Sequence, residues 1–232
     1  MQLSRNTKIA IGAFLAFDLL VASWLVYLFL VRSEVNEINE LRDLGATRYP
    51  DPALIENIEL TDANGELFSE ESLRGQWSLV FFGFTSCPDV CPITMEELAQ
   101  FYRRYNESGA DNLPNVVFVS VDPGRDGVQE VADYMSRFDE RFIGLTGDAE
   151  AIANTAEQFY VAYSSDEEAA GMHEGHMAPS AEDAPSVQND GYMVSHSVHV
   201  SVVDPEGRLH SVIRPPIRRE TMLELYPQLI AD

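Results

Sequence analysis

The chain has 232 residues, 45% of them hydrophobic and 23% charged, which excludes the disordered and fibrous classes. Its net charge of −23 excludes nucleic acid as a partner, because so acidic a surface repels phosphate, and it suits cations or basic protein patches instead. With only two cysteines, Cys87 and Cys91, spaced four apart, the chain is no disulfide-stapled scaffold, and the pair reads as a site.

Residues 1–8 read as a short cytoplasmic N-terminus. Ile9 to Val31 is apolar for 23 residues apart from Asp18. At about 1.5 Å per residue it reaches roughly 34 Å, enough to cross a bilayer core. It is too long for a secretory signal, so residues 9–31 are expected to be an uncleaved transmembrane anchor. Asp18 reads as a contact with another membrane protein or as a tolerated carboxyl. Arg5 and Lys8 precede the span, whereas Glu34, Glu37 and Glu40 follow it with Arg32. The positive-inside rule then gives a single-pass protein with its N-terminus in the cytoplasm and its domain outside. In a bacterium this means the inner membrane and the periplasm.

Residues 32–52 read as a juxtamembrane linker. Val35, Ile38, Leu41 and Leu44 recur every three positions and continue the helix out of the membrane, after which Gly45 to Pro52 looks extended. The soluble domain is expected over 53–232. Ile55 to Phe68 reads as a hairpin turned at Asp62–Gly65. Trp77 to Phe84 and Asn115 to Asp122 read as strands buried on both faces. Helices are expected over Pro92–Asn106, from Asp126 to about Phe138, over Ala149–Tyr160 and over Arg218–Ile230; Asp126 with Gln129 resembles a capping box. Residues 164–190 are acidic and rich in Ala, Pro and Gly, and read as a mobile loop. Val198 to Arg214 reads as a hairpin turned at Asp204–Gly207. Strands alternating with helices, closed by a hairpin and a helix, define an α/β domain.

Pro92 disfavours helix at Cys91 and suits the first turn of a helix. The two cysteines therefore read as a loop ending at a helix start, where thiolate is favoured. Two thiolates suit a soft ion such as Cu(I), and a further ligand must come from elsewhere. Strand alternation puts His196 at the head of a core-facing row with Val198, Val200 and Val202, a position typical of a structural histidine. Ser197, His199 and Ser201 fall on the opposite, polar face; His210 is given no role. Met172, His173, His176 and Met177 form a separate cluster in the loop, readable as an auxiliary copper site or as chance histidines.

Phe82 to Pro92 (FGFTSCPDVCP) resembles the signature of the Sco/SenC family, the copper-delivery proteins of cytochrome c oxidase. Val119 to Asp126, Phe142 to Gly147, and Tyr192 to Ser197 followed by Asp204 to Gly207 resemble further blocks of that family, in the same order. The resemblance implies a thioredoxin-like fold with an N-terminal hairpin and a late insertion. It implies copper, as Cu(I) or Cu(II), held by Cys87, Cys91 and His196, with Asp122 as a supporting acidic residue. It implies the CuA-bearing oxidase subunit as partner, with another copper chaperone or a thioredoxin-like reductase as further partners. Ser195 stands where the family usually carries Asp.

Three functions compete. A metallochaperone would hold copper in an open three-ligand site and release it by ligand exchange. A thiol–disulfide oxidoreductase would cycle Cys87 and Cys91, although generic reductases use Cys-x-x-Cys. A peroxidase conventionally uses a different motif.

Overall fold

The computed structural model describes residues 5–165 and 194–231. The chain divides between Leu44 and Gly45 into two compact units.

The first unit is a single helix, α1 (Arg5–Asp43), 39 residues long, so the helical segment expected after Val31 continues the first helix. From Trp24 to Phe29 six consecutive apolar side chains are exposed, between 45% and 73%. Six positions exceed one helical turn, so this stretch is apolar all round. Among the described residues no helix is long and apolar enough to cross a membrane; the apolar run with described side chains, 14–29, falls short of the roughly 20 residues a bilayer needs.

The second unit is built on an eight-stranded sheet. Its centre is β4 (Ser78–Gly83), a run of Leu, Val and Phe buried at every position, flanked by β5 (Asn115–Ser120) in parallel and β9 (Val200–Val203) in antiparallel pairing. On one side β6 (Ile143–Thr146) extends the parallel part, followed by the hairpin of β2 (Leu60–Asp62) and β3 (Leu67–Phe68). On the other side β10 (Arg208–Ile213) pairs with β9, and β1 (Ala46–Leu54) pairs with β10. The order is β1-β10-β9-β4-β5-β6-β2-β3.

Side chains alternate across this sheet. Val80, Phe82, Val117 and Val119 join Ile152, Ala156 and Phe159 of the α4 (Ala149–Gln158) region in one cluster. On the opposite face Phe81 and Phe118 lie together, with Tyr134 of α3 (Val128–Met135) 5.2 Å from Phe118 between ring centroids. Gly144 lets α3 approach β6, since a Cβ there would meet Val131 at 2.5 Å and Met135 at 2.6 Å. The helix α2 (Val90–Glu107) packs on α5 (Arg219–Leu229), with Phe101 and Tyr105 against Tyr226. The sheet is thus covered on both faces, as continuous apolar strands require.

Four expectations are corrected. Gly45 to Pro52 is mostly strand: Ala46 pairs with Ile213 and Leu54 with Arg208, and the register shifts between Arg48 and Ala53. Pro50 and Pro52 suggested a linker, but an outer strand with an irregularity tolerates residues that cannot donate to a ladder. The hairpin strands within 55–68 are shorter than expected, although the turn holds: Asp62 Oδ1 accepts from the Asn64 and Glu66 amides, and Gly65 takes φ +83°. Asp126 does not cap α3; Gly127 is the N-cap and the helix ends at Met135. Finally, β8 (Val194–His196) pairs with β7 (Tyr163–Ser165) in a separate ribbon. The strand expected to run from His196 through Val202 is therefore broken between His196 and Val200, and Ser201, expected on a polar side, is buried like Val200 and Val202.

Candidate metal centre

The two cysteines follow the carboxyl end of β4, the end of the strands at which open α/β sheets place their ligands. After Gly83 the chain leaves the sheet, and the Cys87 amide donates to the Phe84 carbonyl at 3.2 Å, closing a turn. The helix α2 then begins at Val90 with Asp89 as N-cap, slightly before the Pro92 start expected. Cys87 is consequently on the turn and Cys91 inside the first helical turn, where Pro92 lacks only an amide hydrogen that a helix start leaves without an intrahelical acceptor.

No disulfide joins the two cysteines; Cys91 is fully buried and Cys87 half-buried. Four residues apart, on the turn and on the helix start that follows it, the two thiols stand on one short stretch of chain. Cys91 fits against backbone: a Cβ on Gly83 would lie 3.0 Å from its Sγ and 2.9 Å from Phe118 Cε2. The expectation that the helix start lowers the thiol pKa is overturned at Cys91. Burial pushes this thiol well up, and a hydrogen bond from the Phe84 amide only partly opposes it, while Cys87 and Asp126 add to the rise. Desolvation outweighs the helix terminus because Cys91 has no exposed surface.

A second segment braces this turn from below. Residues 121–126, after β5, fold back on themselves: the Asp122 carbonyl accepts from the Arg125 amide at 3.1 Å and the Asp126 amide at 2.9 Å. The Val121 amide donates to the Gly83 carbonyl at 2.8 Å. The Arg125 guanidinium lies 5.8 Å from the Phe84 ring centroid and pairs with the Asp122 carboxylate. Asp126, fully buried, accepts from the Thr85 amide at 2.8 Å, the Thr85 hydroxyl at 2.6 Å and the Ser120 hydroxyl at 2.6 Å. Sequence reasoning missed Asp126, Thr85 and Ser120 as site residues. The signal was present, since Asp126 ends the second family-like block and Thr85 lies in the first, but a local capping pattern took its place.

Asp122 is buried beside the same turn, with its carboxylate engaged by Arg125. His196 is described by its backbone. It stands opposite Tyr163 in the ribbon, and the Ser197 amide donates to the Ala162 carbonyl at 2.9 Å. Tyr163 and Cys87 both rest against the same core cluster. Met172, His173, His176 and Met177 lie outside the described residues, and among the described residues no three metal-type side chains converge. His210 is buried edge-on against Trp77, with ring centroids 5.1 Å apart, in keeping with a structural part. The Tyr134 hydroxyl is buried without a hydrogen-bond partner among the described residues, and burial followed by the nearby thiols raises its pKa.

Parallel β4 and β5 with an intervening helix, a dithiol at that helix start and an antiparallel β9–β10 hairpin define a thioredoxin-like α/β protein. A family model described as SCO1/SenC matches residues 47–231, and the chain belongs to this family. It is 32% identical to a SCO2-like protein of Rickettsia prowazekii over 169 residues, 73% of each chain. It is 33% identical to the mitochondrial SCO2 homolog of Homo sapiens over 153 residues, 65% of this chain and 50% of that protein. Among solved structures, Arabidopsis thaliana ScoI with copper bound matches at TM-score 0.61 and 28% identity, covering 78% of this chain and 97% of that one. Bradyrhizobium japonicum ScoI with copper bound matches at TM-score 0.57 and 28% identity, covering 74% and 96%.

Proposed function

We propose that this chain is a membrane-anchored copper metallochaperone that delivers copper to the CuA site of cytochrome c oxidase. The observation that carries the reading is the placement of the two thiols, Cys87 on the turn after β4 and Cys91 in the first turn of α2, one sulfur buried and the other reachable. Two sulfurs on one turn select a soft ion, and the two ScoI relatives above were solved holding copper. The donors fit the ion: Cys87 and Cys91 supply thiolates, and His196 supplies an imidazole from the ribbon. Binding displaces the thiol protons, including the one that burial holds on Cys91. Half-exposed Cys87 is the ligand an incoming acceptor thiolate can replace first, so transfer proceeds by ligand exchange.

The CuA-bearing subunit is the acceptor, and another copper chaperone or a thioredoxin-like reductase supplies the ion or the electrons. The apolar stretch 9–31 and the outward-facing apolar side chains of α1 support a single inner-membrane span with the domain in the periplasm. Extraction of membranes with alkaline carbonate tests this: the chain should stay with the lipid, and full release would remove the anchor from the reading. The His/Met cluster at 172–177 serves as an auxiliary, weaker copper site.

The deciding experiment titrates the full chain in detergent with copper under reducing conditions, beside Cys87→Ser and His196→Ala. Wild type should bind close to one equivalent, Cys87→Ser should lose binding, and His196→Ala should weaken it. Wild type that takes up no copper sinks the chaperone. The paired thiols also support a second reading, in which the dithiol reduces the acceptor cysteines before metallation. Its test is whether the reduced protein opens a disulfide across a peptide carrying the acceptor's two cysteines.

A further inference from the structure

We propose that Asp126 is the positioning residue of the metal-donor turn, a role that rests on the copper reading above for its consequence but not for its geometry. A buried carboxylate needs hydrogen-bond donors, and Asp126 finds three. Two come from Thr85, through its amide at 2.8 Å and its hydroxyl at 2.6 Å, and one from Ser120 at 2.6 Å. Thr85 stands two residues before Cys87, inside the turn that the Cys87 amide closes on Phe84. Asp126 itself is fixed from both sides: its amide donates to the Asp122 carbonyl at 2.9 Å, and its carbonyl accepts from the Thr146 hydroxyl at 2.6 Å. The carboxylate is thus anchored to β6 and to the end of β5, and it grips the cysteine turn by both the backbone and the side chain of one residue. A charge-assisted pair of bonds on a single residue fixes orientation as well as distance. Cys91 needs no such grip, because the first turn of α2 and the Gly83 backbone already define its place. Cys87 lies on irregular chain, and its separation from Cys91 depends on the clamp.

The test uses the full chain in detergent with Asp126→Ala, Thr85→Val and the conservative Thr85→Ser. Tyr226→Phe serves as a control that removes a remote, partly buried hydrogen bond to the Asn112 carbonyl. Two readouts are taken: copper affinity with the sulfur-to-Cu(II) charge-transfer spectrum, and, without copper, the equilibrium between the dithiol and its disulfide in glutathione buffers. In the second, oxidised glutathione takes two electrons from the thiols and leaves as two reduced molecules. Loss of a residue that orients metal ligands commonly lowers affinity about 10–100-fold. That loss, with a shifted spectrum, is expected for Asp126→Ala, a smaller one for Thr85→Val, and none for Thr85→Ser or for Tyr226→Phe. The glutathione midpoint should move in the same rank order. Unchanged affinity, spectrum and midpoint in Asp126→Ala overturn the proposal, as does a Tyr226→Phe control that shifts them equally. If wild type binds no copper, the chaperone reading falls and the glutathione series alone decides: a midpoint that moves with Asp126 and Thr85 sustains the clamp, and one that does not ends it. If Asp126→Ala fails to fold, Thr85→Val against Thr85→Ser carries the same decision.

Discussion

At Gly83 the room for a side chain is set by a sulfur atom. A methyl there would press on Cys91 Sγ at 3.0 Å and Phe118 Cε2 at 2.9 Å, both fixed in the core. Gly83→Ala should therefore cost about 1–3 kcal/mol, the usual range for overpacking, and should displace Cys91. Denaturant unfolding checks the first part and copper titration the second; stability and affinity both equal to wild type would show that the site gives way freely. Cys87 and Cys91 were legible because they are the only cysteines and because Pro92 marks the helix start. Asp126 was not, because its partner Thr85 is 41 positions away while a plausible capping partner, Gln129, was three away. In the fold Gln129 turns instead to Asp133.

Elements show the same division. The central strands and most helices follow from runs of apolar residues and from turns such as Asp204–Gly207, where the Gly207 amide donates to the Asp204 carbonyl at 2.9 Å. The strand β1 does not, because two prolines hide it and its partner β10 is distant in sequence. It covers β10, which would otherwise present an unpaired edge. A fragment starting at residue 55 should accordingly melt lower and aggregate more than one starting at residue 45. Differential scanning calorimetry with light scattering checks this, and equal behaviour would return 45–54 to the status of a linker. The ribbon of β7 and β8 was likewise hidden. Alternation placed His196 on the strand of Val200, whereas pairing with Tyr163 gives it to a separate small sheet.

For the molecule as a whole, the net charge of −23 implies self-repulsion in the compact state. Monovalent salt shortens the screening length to about 10 Å at 0.1 M, so the melting temperature should rise as salt is added from low ionic strength; a flat response would show that the charges are already compensated. Alkaline pH acts through buried tyrosines. Burial raises the Tyr226 hydroxyl well above its ordinary pKa, with Tyr105 adding to it, and Tyr102, Tyr105 and Tyr134 shift the same way. The unfolded chain releases these protons near pH 10 while the folded one keeps them. Stability should hold below that pH and fall as pH rises through it. Tyr226→Phe should flatten the fall, which urea unfolding on either side of pH 10 measures; an unchanged slope would acquit this residue.

The class of fold, the dithiol and the family are written in the amino-acid order alone, because each rests on local signals: apolar runs, turn residues and one short motif. That burial raises the Cys91 thiol, that Gly83 shapes its seat, that β1 closes the sheet and that Asp126 holds the cysteine turn emerges only from the folded chain. Each of these depends on atoms that meet across long stretches of chain, and desolvation, close packing and buried hydrogen bonds exist only once they have met.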